Sequence, residues 1–494
     1  MLSLIVFLPL AAALALLALP RLGDTAARWA WVAVAAADLA LVVAAWLRYD
    51  TPTAGRLAFE EQVEWIPGVN SSYHLGVDGL SLPLVAMTAV IFLACAIFAL
   101  RETDRPRLQA ALFLFLQSVS IGLFVAADLI LFFVFFDLSI VGMYFVIAGW
   151  GHGNAARSAM KFFLYTFLGS LALLVGFIGL YIAADPHTFD MVELAEQTPF
   201  AGSSLAGGLV LAAILIGLAV KTPTVPFHTW LPPAHTDAPA IGSAVLAGVL
   251  LKMGTYGLIR IPFQMLREAF AAWSLPIALL ALASILWGSI VAFAQTDMKR
   301  RIAYTSVNHM GYAVLGIAAA GALLTGSEGA RSFALTGAVV EMVAHGLITG
   351  ALFLIAGGVW ARAETYEMDR FGGIAQVAPK MTVAATLAAF ASLGLPGLAG
   401  FVAEVQIFVG AFAVFPWIAA VALLGILITA ALFLRMLQQM FFGKLSEARA
   451  GFADLAPRET TVLAVLLALV VLIGLWPRWL LTLVDGATQT ILGG

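Results

Sequence analysis

The chain consists largely of long apolar runs, and their length limits its fold more than any other feature. A helix needs about 20 apolar residues to cross the hydrocarbon core of a bilayer. Runs of that kind occupy 2–19, 28–47, 80–100, 108–126, 128–150, 161–184, 205–230, 240–262, 273–295, 301–323, 332–360, 380–414, 415–442 and 460–482. Hydrophobic residues make up 62% of the sequence and charged residues only 11%, which excludes a soluble globular protein. The sequence therefore predicts an all-α polytopic membrane protein with about 14 transmembrane helices.

Two of these runs are interrupted beside an ionisable residue. Pro223 and Pro226 follow Lys221 in the seventh run, and a Gly- and Pro-containing segment, 394–400, precedes Glu404 in the twelfth. Proline removes a backbone donor, and a broken helix persists in a membrane only where protein or a wet cavity satisfies the freed carbonyls. Both breaks are therefore predicted to lie in the protein interior, although a simple kink is an alternative for either one.

The two breaks lie five spans apart, which is the arrangement that an inverted repeat predicts. Spans 4 to 8 then form one five-helix unit and spans 9 to 13 form the other, with opposite orientations in the membrane because five is odd. The predicted segments are N-terminal helices 1–3 at 1–107, the first inverted repeat at 108–262, the second at 273–442, and C-terminal helix 14 at 443–494.

Lys and Arg are distributed unequally between the two sides of the predicted bundle. Loops and helix ends that follow odd-numbered spans carry sixteen basic residues, from Arg21 to Arg458, whereas the other loops and the C-terminal tail carry six. Cytoplasmic loops are the ones enriched in Lys and Arg. The sequence thus predicts a multi-pass protein of the bacterial inner membrane with both termini in the periplasm. The first run lacks a basic leader and is expected to be retained as a helix.

Several ionisable residues lie inside the apolar runs. A charge at bilayer depth costs roughly 2.5 to 3.5 kcal/mol on insertion scales, so a chain that carries several of both signs is expected to use them. Burial favours the neutral amine of a lysine and a nearby carboxylate favours the ammonium, so a moving carboxylate loads or unloads a proton. The residues concerned are Asp137, Lys221, Lys252, Glu341, His345, Glu404 and Arg435.

An order of proton transfer follows from the positions of these residues in the spans. Asp137 in span 5 and Lys221 in span 7 are candidates for a pair, and Lys252 in span 8 is the next acceptor. Glu341 and His345 are four residues apart and share one helix face. The remaining candidates for the relay are His309 in span 10 and Glu404 after the second break. The alternative is a set of static salt bridges and packing histidines.

Other polar residues have less defined roles. Arg435 keeps its proton, so we expect it to pair with Glu404 or with lipid. His228 and His235 flank a Pro-Pro turn on the predicted cytoplasmic side, where they either admit protons or stabilise the interface. The single cysteine, Cys95, excludes a disulfide or a thiolate-held cluster within this chain. No metal site, no cofactor and no nucleic-acid partner is expected.

Several segments resemble those of a known family. The sequence from Lys221 onwards reads KTPTVPFHTWLPPAHTDAPAIGSAVLAGVLLKMGTYGLIRI. Further matches are FFVFFDLSIVGMYF, YTSVNHMGY and GLPGLAGFVAEVQIFVGAF. These segments closely resemble the antiporter-like subunits of respiratory complex I, the proton-translocating NADH:quinone oxidoreductase, and among them the M type, or chain 4.

The resemblance implies two inverted five-helix repeats and a role for each relay position. Lys221 pairs with Asp137, Lys252 is central, His309 and His345 continue the polar axis, and Glu404 connects to the exit. The family usually has Glu at the position of Asp137, so the shorter Asp is expected to need closer helices or a water to contact Lys221. The implied partners are other membrane subunits, including neighbouring antiporter-like ones.

Three other functions are compatible with the same sequence. A subunit of an Mrp-type cation/proton antiporter shares the intramembrane lysines. A membrane-bound hydrogenase could use a similar subunit. A static structural subunit would carry the charges as permanent salt bridges.

Overall fold

The computed structural model describes residues 1–19, 22–52, 56–202, 205–323 and 327–493. Arg21, one of the predicted cytoplasmic residues, and Gly494, the end of the predicted C-terminal segment, lie outside these ranges. In the described ranges, ten helices are long and apolar enough to cross a membrane, and three shorter apolar helices accompany them. The prediction of an all-α polytopic membrane fold is confirmed, whereas the total of fourteen spans stays a prediction.

The N-terminal part contains helices and one β-hairpin. Its elements are α1 (Leu2–Ala18), α2 (Asp24–Leu47), β1 (Ala58–Ile66), β2 (Ser71–Val77) and α3 (Ser81–Phe98). The strands pair antiparallel, with Gln62 opposite His74. The sequence analysis did not predict this hairpin, because it falls between the apolar runs that were used to divide the chain.

The described part of the predicted first repeat has five helices before the break at Lys221 and four short helices after it. Its elements are α4 (Pro106–Val125), α5 (Leu129–Trp150), α6 (Ala155–Ala183), α7 (Met191–Gln197), α8 (Leu205–Lys221), α9 (Leu231–Asp237), α10 (Ala240–Val245), α11 (Lys252–Arg260) and α12 (Pro262–Met265). A π-helical turn, Leu246–Leu250, joins α10 to α11. Such turns occur frequently at functional sites.

The rest of the chain is also helical. Its elements are α13 (Arg267–Ala294), α14 (Met298–Gly321), α15 (Glu328–Ala363), α16 (Pro379–Ser392), α17 (Ala399–Val414), α18 (Pro416–Met440), α19 (Pro457–Leu475) and α20 (Arg478–Gly493). Helix α15 is the centre of the bundle, since its most apolar 18-residue stretch is completely buried. By contrast, α6, α13 and α18 bury less than half of the corresponding stretch and present leucines outwards.

Both predicted helix breaks are present, and they lie where the sequence places them. Helix α8 ends at Lys221 and α9 begins at Leu231, while α16 ends at Ser392 and α17 begins at Ala399. At the first break the Trp230 indole N–H donates to the Val220 carbonyl oxygen at 2.9 Å. The protein interior thus satisfies a carbonyl that the break frees, as a membrane environment requires.

The connections between helices gather on two opposite faces. On one face, β2 and α7 lie beside the α4–α5 connection, through bridges of Leu75 to Ala126 and of Asp128 to Asp190. On the other face, the His152 amide donates to the Asp237 carbonyl at 2.8 Å. Connections that follow even-numbered and odd-numbered predicted spans are therefore separated, as alternating crossings require.

Candidate proton-transfer site

Lys221 lies at the last residue of α8, where the helix break leaves its amine in the interior. Its side chain is 1% exposed. The Nζ atom donates to the Ser139 hydroxyl oxygen on α5 at 2.8 Å and lies 4.6 Å from the centre of the Phe136 ring. A lysine ammonium group has three N–H donors, and one hydrogen bond and one aromatic contact do not use all of them. Lys221 is therefore held in place without a counter-charge in contact.

Asp137 does not form the predicted direct pair with Lys221. The two side chains have no ion pair within 4 Å in the described structure, and one buried Asp137 carboxylate oxygen, Oδ1, has no hydrogen-bond partner. Asp137 shares helix α5 with Ser139, which binds the Lys221 amine instead. An Asp side chain reaches one methylene less far than Glu, so the spacing of α5 and α8 decides whether the two groups meet. Either a water or a movement of α5 is needed for contact.

Lys252 is fully buried and makes two short contacts. It begins α11, directly after the π-helical turn. The Ala247 carbonyl oxygen in that turn accepts from Lys252 Nζ at 2.6 Å, and His345 Nδ1 on α15 also lies 2.6 Å from Nζ. An ammonium group only donates, so His345 accepts through Nδ1 when Lys252 is protonated. A proton can therefore pass between the two side chains without a movement of either helix.

The two histidines and Glu341 continue the polar line from Lys252. The rings of His345 and His309 lie 5.5 Å apart between centroids. His309 Nδ1 lies 3.2 Å from a Glu341 carboxylate oxygen, and His309 Nε2 lies 3.0 Å from the Ser392 hydroxyl. All of these side chains are buried. The structure thus brings together four of the predicted relay residues, Lys252, His345, His309 and Glu341, on α11, α14 and α15.

Glu404 lies on α17, beside the second helix break. Its side chain is 5% exposed, and a Cβ atom at Gly394 would lie 2.0 Å from Glu404 Oε2. Gly394 has a backbone φ of +74°, which favours glycine. The break therefore makes room for the carboxylate. Glu404 contacts none of the other predicted relay residues through a hydrogen bond or an ion pair in the part of the chain that the structure describes.

Two hydroxyl groups that the sequence analysis missed lie in the gaps of this line. The Thr222 and Tyr312 hydroxyls are both buried and have no hydrogen-bond partner among the described residues. A Cβ atom at Gly254 would lie 2.3 Å from Thr222 Oγ1, so Thr222, the residue after Lys221, packs against α11, the helix that carries Lys252. Tyr312 stacks edge-on against His309, with centroids 6.0 Å apart. Tyr312 belongs to the segment YTSVNHMGY, and this motif was the sequence feature that could have identified it.

Arg435 and His228 lie away from this line, whereas His235 is close enough to Lys252 and His345 to interact with both electrostatically. Arg435 does not pair with Glu404; its guanidinium lies over the Phe293 ring at 5.2 Å. His228 Nε2 accepts from the Trp287 indole at 3.2 Å. His235 is buried, and neither ring nitrogen has a hydrogen-bond partner in the described structure. The ring instead stacks on Phe353 with centroids 4.7 Å apart.

These features define a multi-pass membrane protein whose interior holds a line of ionisable side chains between two broken helices. The profile of the family described as NADH:quinone oxidoreductase/Mrp antiporter, transmembrane, matches residues 126–429. The chain belongs to this family. It is 38% identical to an NAD(P)H-quinone oxidoreductase chain 4 of Nostoc sp., over 99% of this chain and 90% of the relative.

Solved structures show the same fold. A chain of respiratory complex I from Thermus thermophilus matches with a TM-score of 0.88 and 30% identity, covering 100% of both chains. A chain of the Mrp complex from Dietzia sp. matches with a TM-score of 0.87 and 22% identity, over 99% of this chain and 97% of that one. The second similarity concerns the fold alone.

Proposed function

We propose that the protein is a proton-translocating membrane-arm subunit of an NADH:quinone oxidoreductase, driven by quinone reduction in other subunits. The observation that carries this proposal is the buried contact line from Lys252 through His345 and His309 to Glu341. The name of the Nostoc relative and the complex I match support the choice of complex. The chemistry assigned to this chain is proton transfer only, with no redox centre and no cofactor of its own.

The proposed transfer begins at Lys221. In the observed state Ser139 binds its amine and Asp137 makes no direct contact. Movement of Asp137 towards Lys221 favours the ammonium form, and its retreat favours the neutral amine. The proton then passes by Thr222, or by water beside it, to Lys252. The distance between the Asp137 carboxylate and the Lys221 amine thus controls whether Lys221 carries a proton.

The later steps use the side chains around α15. Lys252 passes its proton to His345 across the 2.6 Å contact, and His309 and Glu341 receive it next. Tyr312 and water bridge the interval to Glu404, which lies at the second break. Arg435 has no part in this transfer. With the proposed repeats at 108–262 and 273–442, each half of the path contains one helix break.

The proposed direction is from the cytoplasm to the periplasm of a bacterial inner membrane. The sequence has sixteen basic residues in the connections and helix ends after odd-numbered spans and six in the others, which supports a cytoplasmic assignment for the face that carries Asp237 and Asp297. The β-hairpin and both termini then face the periplasm. The proposed partners are the neighbouring antiporter-like subunits and the quinone-reducing part of the complex.

An Mrp-type cation/proton antiporter is the second candidate, supported by the family description and by the Mrp fold match. A redox-driven pump and an antiporter differ in their energy source. Purification of the native assembly decides between them: redox subunits with iron–sulfur clusters support the first function, and a set of membrane subunits without them supports the second.

Substitution of Lys252 by Met tests the proton path. Met keeps a flexible side chain of similar length but cannot carry a proton. We expect Lys252→Met to assemble normally and to abolish proton translocation by reconstituted vesicles that oxidise NADH. Lys380→Met, at an exposed lysine on α16, is the matched control and should pump as the unmodified complex does. An unchanged ratio of protons to quinone in the Lys252 variant would refute the role.

A further inference from the structure

A pocket of about 310 Å³ lies at the end of the bundle that carries the α13–α14 connection. It is formed by the last turn of α13, the first turn of α14 and the last turns of α18. Its polar lining residues are Gln295, Thr296, Arg301, Asp369, Arg435 and Gln439. None of them belongs to the proposed proton path. Proton transfer therefore does not account for the two cationic side chains in this pocket.

Arg301 forms the inner wall of this pocket. Its side chain is 2% exposed, and its guanidinium donates to the Gln295 carbonyl at 2.6 Å and to the Leu432 carbonyl at 3.2 Å. The Nε atom is buried and has no hydrogen-bond partner among the described residues. Carbonyl oxygens orient the group but do not neutralise its charge. A buried cation without an anion is costly.

Arg435 supplies a second cation at the outer wall. Its side chain is exposed, and its guanidinium is held over the Phe293 ring at 5.2 Å. In the described structure no carboxylate lies within 4 Å of either guanidinium, although Asp369 lines the same pocket. Two positive groups therefore face one cavity with an excess of positive charge. Such a cavity is suited to an anion.

The location of the pocket indicates which anion it takes. Arg435 lies five residues before Met440, the last residue of α18, or about 8 Å along the helix, and therefore near one end of this span. Its neighbour Leu434 is 51% exposed, as expected for a leucine on the lipid-facing side of a span. Guanidinium groups bind phosphate through paired hydrogen bonds. The Gln439 Oε1 atom is buried and unpartnered in the described structure, so it can accept from a hydroxyl.

We propose that Arg301 and Arg435 bind the phosphate of an anionic phospholipid whose headgroup carries a hydroxyl, as phosphatidylglycerol does, with Gln439 accepting from that hydroxyl. Basic pockets between transmembrane helices on the cytoplasmic side bind such headgroups. This assignment rests on the pocket and on membrane insertion, and it does not depend on proton translocation.

The test measures lipid retained by the purified full-length chain. The chain is mixed with vesicles of phosphatidylglycerol or of phosphatidylcholine, and bound lipid is counted by native mass spectrometry. We expect preferential retention of phosphatidylglycerol and a loss of about fivefold in Arg435→Gln, because one basic residue near the surface contributes about that factor. Arg458→Gln, an exposed arginine at the start of α19, is the matched control and should retain the lipid.

A second variant separates the shape of the pocket from its charge. Ala294→Trp fills the pocket from the end of α13 while both arginines remain, and it should also reduce retention. Equal retention of both lipids would overturn the proposal, as would equal losses in the Arg435 and Arg458 variants or full retention in Ala294→Trp. Displacement of the bound lipid by excess inorganic phosphate would show a free-anion site and overturn the assignment to lipid.

Discussion

At the scale of single residues, the interior is distinguished by polar atoms that have no partner. Asp137 Oδ1, His345 Nε2 and the hydroxyls of Thr222 and Tyr312 are buried without a hydrogen bond in the described structure. Buried polar groups are normally paired, with ordered water when protein offers nothing. All four atoms belong to the proposed proton path or flank it. We expect these atoms to bind water or a transferred proton if the proposed path operates.

The sequence predicted the charged members of this path better than the uncharged ones. Lys221, Lys252 and Glu404 were found because a charge in an apolar run is costly. Ser139 and Thr222 were missed, because a hydroxyl in a membrane helix is common and carries no comparable cost. The absence of a direct Asp137 contact depends on the distance between two helices, which sequence does not specify.

Asp38 on α2 provides a prediction at this scale. Its Oδ2 accepts from the Gln117 amide at 2.6 Å, whereas Asp38 Oδ1 and Gln117 Oε1 are buried and unpartnered in the described structure. An Asn side chain would supply the missing donor. We expect Asp38→Asn to keep the free energy of unfolding within about 1 kcal/mol and Asp38→Leu to lose about 1 to 3 kcal/mol. Thermal unfolding in detergent measures both, and equal losses would contradict the pairing.

Gly394 provides a second residue-scale prediction. A methyl group there would lie 2.0 Å from Glu404 Oε2, at a backbone φ of +74° that alanine adopts with strain. We expect Gly394→Ala to lower the free energy of unfolding by about 1 to 3 kcal/mol and to slow proton translocation. Gly208→Ala on α8, where an added Cβ meets nothing within 4 Å, is the control. Equal behaviour of the two variants would show that Glu404 does not need this space.

At the scale of elements, irregular backbone accompanies the ionisable groups. Lys221 ends a broken helix, Lys252 follows a π-helical turn, and Glu404 follows a second break. The sequence predicted both breaks from proline and glycine, whose effects on a helix are local. It did not predict the π-helical turn, because no residue type in Leu246–Leu250 requires one. The β-hairpin was also missed, since it falls between the apolar runs and carries no span of its own.

The hairpin gives a pH-dependent prediction. His74 on β2 lies 2.5 Å from Asp190 and 2.8 Å from Glu60. Burial lowers the pKa of His74, but the hydrogen bonds and charges of Asp190 and Glu60 outweigh it, and the net pKa is raised. The protonated histidine therefore stabilises the folded hairpin. This stabilisation is complete below the unfolded pKa of about 6.5 and is lost as the pH rises through the higher folded value.

Hydrogen exchange of the hairpin amides tests this expectation. Protection factors of β1 and β2, corrected for the intrinsic effect of pH, should fall at alkaline pH in the unmodified protein. His74→Gln keeps a polar side chain but does not titrate, so its protection should be lower and independent of pH. Protection that is constant with pH in both proteins would contradict the role of His74.

At the scale of the whole molecule, the apolar runs and the distribution of basic residues predicted the membrane fold and the grouping of its connections. The hydrophobic pattern carries this information because every span needs a similar length. The packing order of the helices was not contained in that pattern. Thus α15 lies at the centre with its apolar stretch wholly buried, whereas α18, whose mean hydropathy is higher, lies at the periphery.

The orientation is open to direct measurement because the chain has one cysteine, Cys95, which is buried. We expect Glu64→Cys, on exposed β1, to react with a membrane-impermeant maleimide applied outside the inner membrane. Glu447→Cys, exposed between α18 and α19, should react only after the membrane is opened. The unmodified chain is the control for Cys95. The reverse pattern would invert the proposed direction of proton flow.

The central claim is that protons cross between buried side chains through the interior of one chain. Water density in a high-resolution electron cryo-microscopy map of the intact complex tests it most directly. We predict ordered water beside Thr222, between Lys221 and Lys252, and beside Tyr312 on the way to Glu404, in at least one state of the catalytic cycle. Dry, closely packed intervals at both places in every state would contradict the account.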